Sequence, residues 1–229
     1  MPYFSIIIPA YNEEKYLRKT LHSIKQQTFQ DYEVIVVANG CTDGTEEIVN
    51  KRAGGKVRLL SLPKPNVCVA RNAGALNAQG KVLVFLDADT QLAPPALASI
   101  KEKFTLRHAM GTTRVQPDQP YWKYTLMMGF KNILMRTAIY KGFGGIVICH
   151  KDHFQNVQGY DPEFRVKEHH HLRRKLQEKG KYVCVDTMVT TSMRRFHQWP
   201  LWKAGLFWMK ENVKFYARRP VSSAYESVR

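Results

Sequence analysis

Val82-Leu83-Val84-Phe85-Leu86 runs straight into Asp87-Ala88-Asp89-Thr90. Five consecutive apolar residues, two of them β-branched valines, carry the pattern of a strand buried on both faces. The aspartates follow where such a strand leaves its sheet, and in open α/β sheets ligands gather outside the carboxyl ends of the strands. Two hard oxygen ligands one residue apart suit Mg²⁺ or Mn²⁺ and, through the metal, a diphosphate. An isolated Asp-x-Asp reads equally well as a solvated strand end, so the surroundings decide.

Upstream, the same alternation repeats. Phe4 to Ile8 is a first buried strand closed by Pro9-Ala10-Tyr11. Asn12 then reads as an N-cap, with Glu13 and Glu14 in the first helical turn and Leu17, Leu21 and Ile24 on one face. Glu33 to Ala38 is a second strand. Asn39-Gly40-Cys41-Thr42-Asp43-Gly44 turns into a helix where Asp43 and Glu46 have capping-box spacing. Val57 to Ser61 is a third strand, and Pro63-Lys64-Pro65-Asn66 leads to an Ala-rich helix from Val67 to Gly80. Strands alternating with helices predict a mostly parallel sheet with right-handed crossovers.

The 229 residues, 44% hydrophobic, are enough for one large domain. No run approaches the apolar length of a transmembrane helix. Met1-Pro2-Tyr3-Phe4 enters a strand without the basic segment and apolar core of a secretory signal. Cys41, Cys68, Cys149 and Cys184 are widely spaced, which predicts free thiols and a cytoplasmic protein. The net charge of +16 is lopsided. The first 95 residues hold 11 Lys and Arg against 9 Asp and Glu, whereas the rest hold 24 against 10. Such asymmetry points the second half toward an anionic partner: nucleic acid, a phospholipid surface or a phosphorylated substrate.

Four ordered segments in the first 90 residues now carry a resemblance. Phe4-Ser5-Ile6-Ile7-Ile8-Pro9-Ala10-Tyr11-Asn12-Glu13-Glu14 resembles the opening signature of family 2 glycosyltransferases, which have the GT-A fold. Val36-Val37-Ala38-Asn39-Gly40-Cys41-Thr42-Asp43-Gly44-Thr45 is similar to their second loop, and Ala70-Arg71-Asn72-Ala73-Gly74 to their third. Asp87-Ala88-Asp89 falls at their metal motif. The resemblance implies that Pro9, Ala10, Tyr11 and Glu13 border the nucleoside of a UDP- or GDP-sugar. Asn39 stands where many members have a base-binding Asp; an amide both donates and accepts, which leaves the base open. Arg71 becomes a diphosphate contact, Asp87 meets ribose or metal, Ala88 lies between them, and Asp89 binds Mn²⁺ or Mg²⁺.

The second half is less regular. Pro94-Pro95 opens a helix to about Phe104, and Ala109 to Val115 reads as a strand. Tyr121 to Tyr140 is a helical stretch apolar nearly all round, either a core helix or one wall of a greasy acceptor groove. Gly144-Gly145-Ile146-Val147-Ile148-Cys149-His150 is a strand, and the segment to Gln158-Gly159-Tyr160-Asp161 is similar to the family's acceptor-side motif, with Gln158 in place of a Gly. Gly144, Gly145 and Asp161 are acceptor candidates by that likeness, although Asp161 before Pro162 also suits a helix cap.

The main departure is Lys167-Glu168-His169-His170-His171-Leu172. Glu168 matches the family's Glu, but His169 replaces the Asp that takes the acceptor proton. Either His169 or Glu168 acts as base, or the acceptor is a phosphate that needs none, or the chain binds without turnover. Three adjacent histidines on a helix point in different directions, which argues against a shared metal site. Lys181 to Asp186 is a further strand, and Val189 to His197 resembles the family segment returning under the donor. Arg194 and Arg195 are diphosphate candidates and His197 a metal ligand, each with a plain surface reading beside it.

From Trp199, three tryptophans fall within ten residues, and Trp202, Leu206, Met209 and Val213 recur at helical spacing beside Lys203, Lys210 and Lys214. This pattern fits either a membrane-interfacial helix or one docked on the sheet. The expectation is a GT-A domain over 1–198, with a donor half at 1–95 and an acceptor half at 96–198, followed by an amphipathic helical extension over 199–229. Its function would be metal-dependent, inverting sugar transfer to a glycan, a lipid-linked acceptor or a polyprenyl phosphate at an anionic membrane surface. The rivals are a silent glycan- or lipid-binding member and a basic nucleic-acid binder; no nucleic-acid motif appears.

Overall fold

A computed structural model describes residues 1–137, 142–164, 166–194, 196, 206, 209–210 and 213–214. In chain order the strands are β1 (Phe4–Ala10), β2 (Tyr32–Asn39), β3 (Val57–Leu62), β4 (Val82–Leu86), β5 (Thr90–Leu92), β6 (His108–Pro117), β7 (Ile146–His150) and β8 (Lys181–Thr191). The helices are α1 (Leu17–Lys25), α2 (Thr45–Asn50), α3 (Val67–Leu76), α4 (Ala96–Lys103), α5 (Trp122–Arg136), α6 (Lys151–Asn156) and α7 (Glu168–Leu176).

All eight strands join one sheet in the order β3-β2-β1-β4-β7-β6-β8-β5. The first four are parallel neighbours, β7 runs antiparallel between β4 and β6, and β8 is parallel to β6. The order turns back between β1 and β4, which makes their carboxyl ends the switch point where a ligand crevice opens. Alternation along β1 serves two cores. Phe4, Ile6 and Ile8 face the layer holding α1, α4 and α5, while Ile7 faces the layer of α3, α6 and α7. Gly74 lets α3 lie close against β1, since a Cβ there would come within 2.4 Å of Ile7 Cγ2.

At the amino end of the strands a buried network ties the sheet together. Ser5 Oγ donates to Glu33 (2.7 Å), Gly80 N–H donates to Ser5 Oγ (2.8 Å), and Arg58 reaches the other Glu33 oxygen. Burial works against the Glu33 charge, but these bonds hold its carboxyl below the usual range.

Three local expectations need correction. The first helix starts at Leu17, and Asn12 is not its cap: it sits at φ +54° with its side chain bonded to Thr42. Asp43 does not close a box with Glu46; it exchanges bonds with Glu14, accepting from Glu14 N–H while Glu14 accepts from Gly44 N–H. The strand expected over 181–186 continues to Thr191 and takes in the first three residues of the segment read as separate, paired along β6 and with the unforeseen β5. The four cysteines are free. Among the described residues, no helix is long and apolar enough to cross a membrane. The proposed extension over 199–229 lies outside the described residues except for 206, 209, 210, 213 and 214.

Candidate active site

Pro9 and Ala10 end β1, Tyr11 follows half-buried, and Asn39 ends β2, so the first-loop residues line the crevice at the switch point. Asn39 is 3% exposed, and its side-chain oxygen accepts from Asn66 N–H at 2.8 Å. That bond sets the amide orientation and leaves nitrogen as the donor to a base. Asn66 in turn caps α3, accepting from Cys68 and Val69 N–H.

The Asp87-Ala88-Asp89 turn is pinned from three sides. Asp87 N–H donates to Gly145 O (2.9 Å), Thr20 Oγ1 donates to Ala88 O (2.7 Å), and Ser192 N–H donates to Asp89 O (3.3 Å). Gly145 is required there: it has φ +79°, and a Cβ would come within 2.6 Å of Thr90 Oγ1. Gly145, a candidate for the acceptor, thus backs the aspartate turn, while Gly144, the other candidate, packs against Val115. Asp161 caps its own turn, accepting from Glu163 N–H at 3.0 Å.

Two arginines organise the carboxylates. Arg71, expected to meet a diphosphate, is instead 4% exposed, with one terminal nitrogen on Glu168 (2.9 Å) and the other on Asp87 (3.1 Å). Burial opposes its charge, but Glu168 above all, and Asp87 with it, keep the guanidinium protonated above its ordinary value. Arg194 makes a two-pronged bond to buried Glu13 (2.8 and 2.5 Å) and lies 3.1 Å from Asp89 Oδ2. Its guanidinium sits over the Tyr16 ring. Sequence reasoning placed Glu13 and Arg194 at the site separately but missed that they pair.

Glu168 and His169 open α7 after Lys167, a left-handed residue at φ +64°. His169 Nδ1 lies 3.0 Å from the hydroxyl of buried Tyr160, and its Nε2 lies 3.5 Å from Glu168 Oε1. Burial pushes the Tyr160 hydroxyl up, so it stays protonated, and the Glu168 carboxylate, which can only accept, favours the arrangement in which Tyr160 donates to Nδ1. The proton of His169 is then on Nε2, facing Glu168. Burial, with the nearby Arg71 charge, drives the His169 pKa well down, and the imidazole is neutral. Tyr160 was missed as a site residue. Asn72 positions it, its side chain bonding both Tyr160 N–H (2.9 Å) and Tyr160 O (2.7 Å).

The three histidines diverge as their helical spacing requires. His169 meets Tyr160, His170 packs edge-on to Phe143, and His171 stacks on Phe164 at 4.0 Å. Among the described residues no three His, Cys, Asp or Glu side chains gather as a metal centre. Asp87 and Asp89 are nonetheless the donor set a divalent cation shares with a diphosphate: one or two carboxylates, the remaining positions filled by phosphate and water oxygens. The residues fit a Mn²⁺ or Mg²⁺ of that kind. Arg195 and His197 lie outside the described residues.

Comparison with known proteins bears on the family and the fold. A chondroitin synthase of Pasteurella multocida (strain Pm70) is 37% identical over 125 residues, 52% of this chain but 13% of the synthase. The chain thus spans a small part of that curated relative. A Pyrobaculum calidifontis mannosyltransferase solved with GDP-Man and Mn²⁺ superposes with a TM-score of 0.71 at 19% identity, over 86% of this chain and 59% of that one. S. aureus TarS 1–349 in complex with UDP-GlcNAc gives 0.67 at 21%, over 84% of this chain and 59% of that one. At such identities the two structures show the shared fold. The profile described as "Glycosyl transferase family 2" matches residues 5–156, well over half of the sequence, and the chain belongs to that family.

Proposed function

We propose that the chain transfers a sugar from a UDP- or GDP-sugar to an acceptor carried on a membrane lipid, as a glycan hydroxyl or a phosphate, with inversion at the anomeric carbon. The observation that carries the reading is the gathering of Glu13, Asp87, Asp89 and Glu168 around Arg71 and Arg194 at the switch point between β1 and β4. The named ligands of the fold relatives, UDP-GlcNAc and GDP-Man with Mn²⁺, support a sugar nucleotide as donor. The Asn39 amide donates to a carbonyl oxygen of the base, which uracil and guanine both offer. Asp89, with Asp87, would hold a divalent cation. Bound there, the cation supplies charge neutralisation for the departing nucleoside diphosphate.

On the acceptor side, Glu168 takes the role of base. His169 has its lone pair on Tyr160 and its N–H toward Glu168, so it orients the carboxylate instead of taking the proton. Arg71 holds Oε1 of Glu168, which leaves Oε2 for the acceptor hydroxyl. The basic second half favours an anionic surface, and a peripheral place on the cytoplasmic face of the cell membrane follows from it.

The test is a panel of sugar nucleotides with Mn²⁺, read as nucleoside diphosphate release. Asp89→Ala should lower turnover by about 10³-fold, the several kcal/mol that a catalytic metal is worth. Unchanged turnover and metal dependence in that variant would sink the assignment. With the true acceptor, Glu168→Gln should cost about 10²–10⁴-fold, against about tenfold for His169→Asn. If neither slows transfer, the acceptor is already anionic and needs no base.

A further inference from the structure

The helix α5 was expected either to sit in the core or to wall a groove. It does neither on its outer side. Tyr124, Met128 and Met135 bury one face against the sheet, and Asn132 fastens the helix by bonding both Val115 N–H and Val115 O at 2.8 Å. The opposite face presents Trp122, Leu126, Phe130 and Ile133, which are 79%, 67%, 62% and 64% exposed. At about 100° per residue these four lie within roughly 80° of one another. A surface helix normally turns polar residues outward. Gly129 lies exposed on the same side with open space around it, so among the described residues nothing covers the stripe.

We infer that this face of α5 docks on an anionic lipid bilayer. The charge pattern selects that occupant. No acidic residue occurs between Asp118 and Asp152, while Lys123, Lys131, Arg136, Lys141 and Lys151 fall within the interval. Lys123 and Arg136 are exposed beside the apolar stripe. Apolar and aromatic side chains whose charged neighbours on the helix are all cations match the headgroup boundary of a membrane containing anionic lipid. The alternative of cover by the C-terminal segment finds no support in its described residues, because Leu206, Met209 and Val213 are themselves 53%, 58% and 65% exposed.

The position of the helix gives docking a consequence. α5 begins just beyond the carboxyl end of β6, the same end of the sheet as the site. Asp118 accepts from Met193 N–H at 2.9 Å, one residue before Arg194, and the Tyr124 ring lies 6.2 Å from that of Phe196. Seating Trp122 in the headgroups therefore brings the cleft to the bilayer surface, where a lipid-borne acceptor would meet it. This inference rests on the membrane-borne acceptor proposed above.

The experiment is flotation of the full chain with vesicles of phosphatidylcholine alone and of phosphatidylcholine with 30% phosphatidylglycerol. The wild type should float with the anionic vesicles and less so as salt rises. Leu126→Glu with Phe130→Glu should lower the bound-to-free ratio at least tenfold, with thermal unfolding unchanged because both side chains already face solvent. Lys123→Glu with Arg136→Glu should also lose binding and flatten its salt dependence. If the wild type does not float, the membrane-borne reading itself fails. If it floats and the Leu126/Phe130 variant floats equally, another surface anchors the chain and the role of α5 is overturned. The same follows if the wild type is a dimer without lipid and that variant a monomer, since the stripe then serves a second copy.

Discussion

Arg71 and Arg194 perform the same formal task, each joining two carboxylates at the switch point, yet their surroundings differ. Arg71 projects from α3 and is almost fully enclosed, with Asp87 from the donor turn on one side and Glu168 from α7 on the other. It fastens the first half of the chain to the second through a guanidinium that is itself desolvated, although Asp87 stays 39% exposed. Arg194 follows β8 and is 23% exposed, and it lies against Asp89, the carboxylate assigned to the cation. The first bridge is part of the architecture. The second lies where the proposed cation would bind.

The largest effect should come from the enclosed bridge. Arg71→Met leaves the mostly buried Glu168 without its counter-charge, while Asp87, 39% exposed, keeps its water, so the cost falls at the low end of a broken buried pair, about 3 kcal/mol. Chemical denaturation should show that loss with no ligand present. A variant as stable as the wild type would mean that water reaches this bridge and that the contrast with Arg194 is false.

Arg194→Met should cost less, about 2 kcal/mol, since the guanidinium is partly solvated but Glu13 loses a charged partner. Its signature is in metal binding. With the competing cation gone, Mn²⁺ should bind about tenfold more tightly in titration calorimetry without nucleotide. Equal affinity in the two proteins would show that Arg194 and the metal do not compete for Asp89.

The difference between the bridges also explains what was legible in the sequence. Apolar runs and Asn, Asp and Gly turns are local signals, and β1, β2, β3 and β4 appear within a few residues of their expected bounds. The start of α1 was misjudged because distant groups hold Glu13 out of the helix: Thr45 Oγ1 accepts from Glu13 N–H at 2.8 Å, and Arg194 binds its carboxylate. The aspartates were readable from their strand. The arginines were recognisable as cations near phosphate, but their partners stand 97 and 181 residues away. The tautomer of His169 involves Tyr160, which lies in the segment likened to the family's acceptor-side motif but was read there only through its neighbour Asp161. The exposed side of α5 was hidden for a related reason, since an all-round apolar helix gives no sign of which face meets the sheet.

Acid should separate the two sides of the site. Burial holds His169 neutral, and burial with Lys167 and Arg173 nearby pulls His170 down to about 3. Below about pH 6.5 the unfolded chain takes up protons that the folded chain refuses. Stability therefore falls as pH drops below about 6.5, by about 1.4 kcal/mol per unit for each histidine that stays neutral in the fold, and for His170 this continues toward about 3. Replacing both by Asn should flatten the denaturation profile between pH 6.5 and 5. Arg194→Met should leave its slope unchanged, because neither histidine meets that bridge.

The smallest effect probes the turn that delivers Tyr160 to the enclosed side. Gln158 stands where family members carry Gly, and its φ is +58°, a left-handed conformation that costs a residue with a Cβ about 1–2 kcal/mol. Its side chain is exposed, so nothing evident offsets that cost. Gln158→Gly should stabilise the fold by about 0.5–1 kcal/mol, the remainder being lost to the greater freedom of Gly in the unfolded chain. Gln158→Ala keeps the Cβ and should leave thermal unfolding nearly unchanged. Equal gains for Ala and Gly would place the effect in the lost Gln side chain and remove backbone conformation from the account. A gain for Gly alone would identify the turn as a strained hinge of the Arg71 side, with no counterpart beside Arg194.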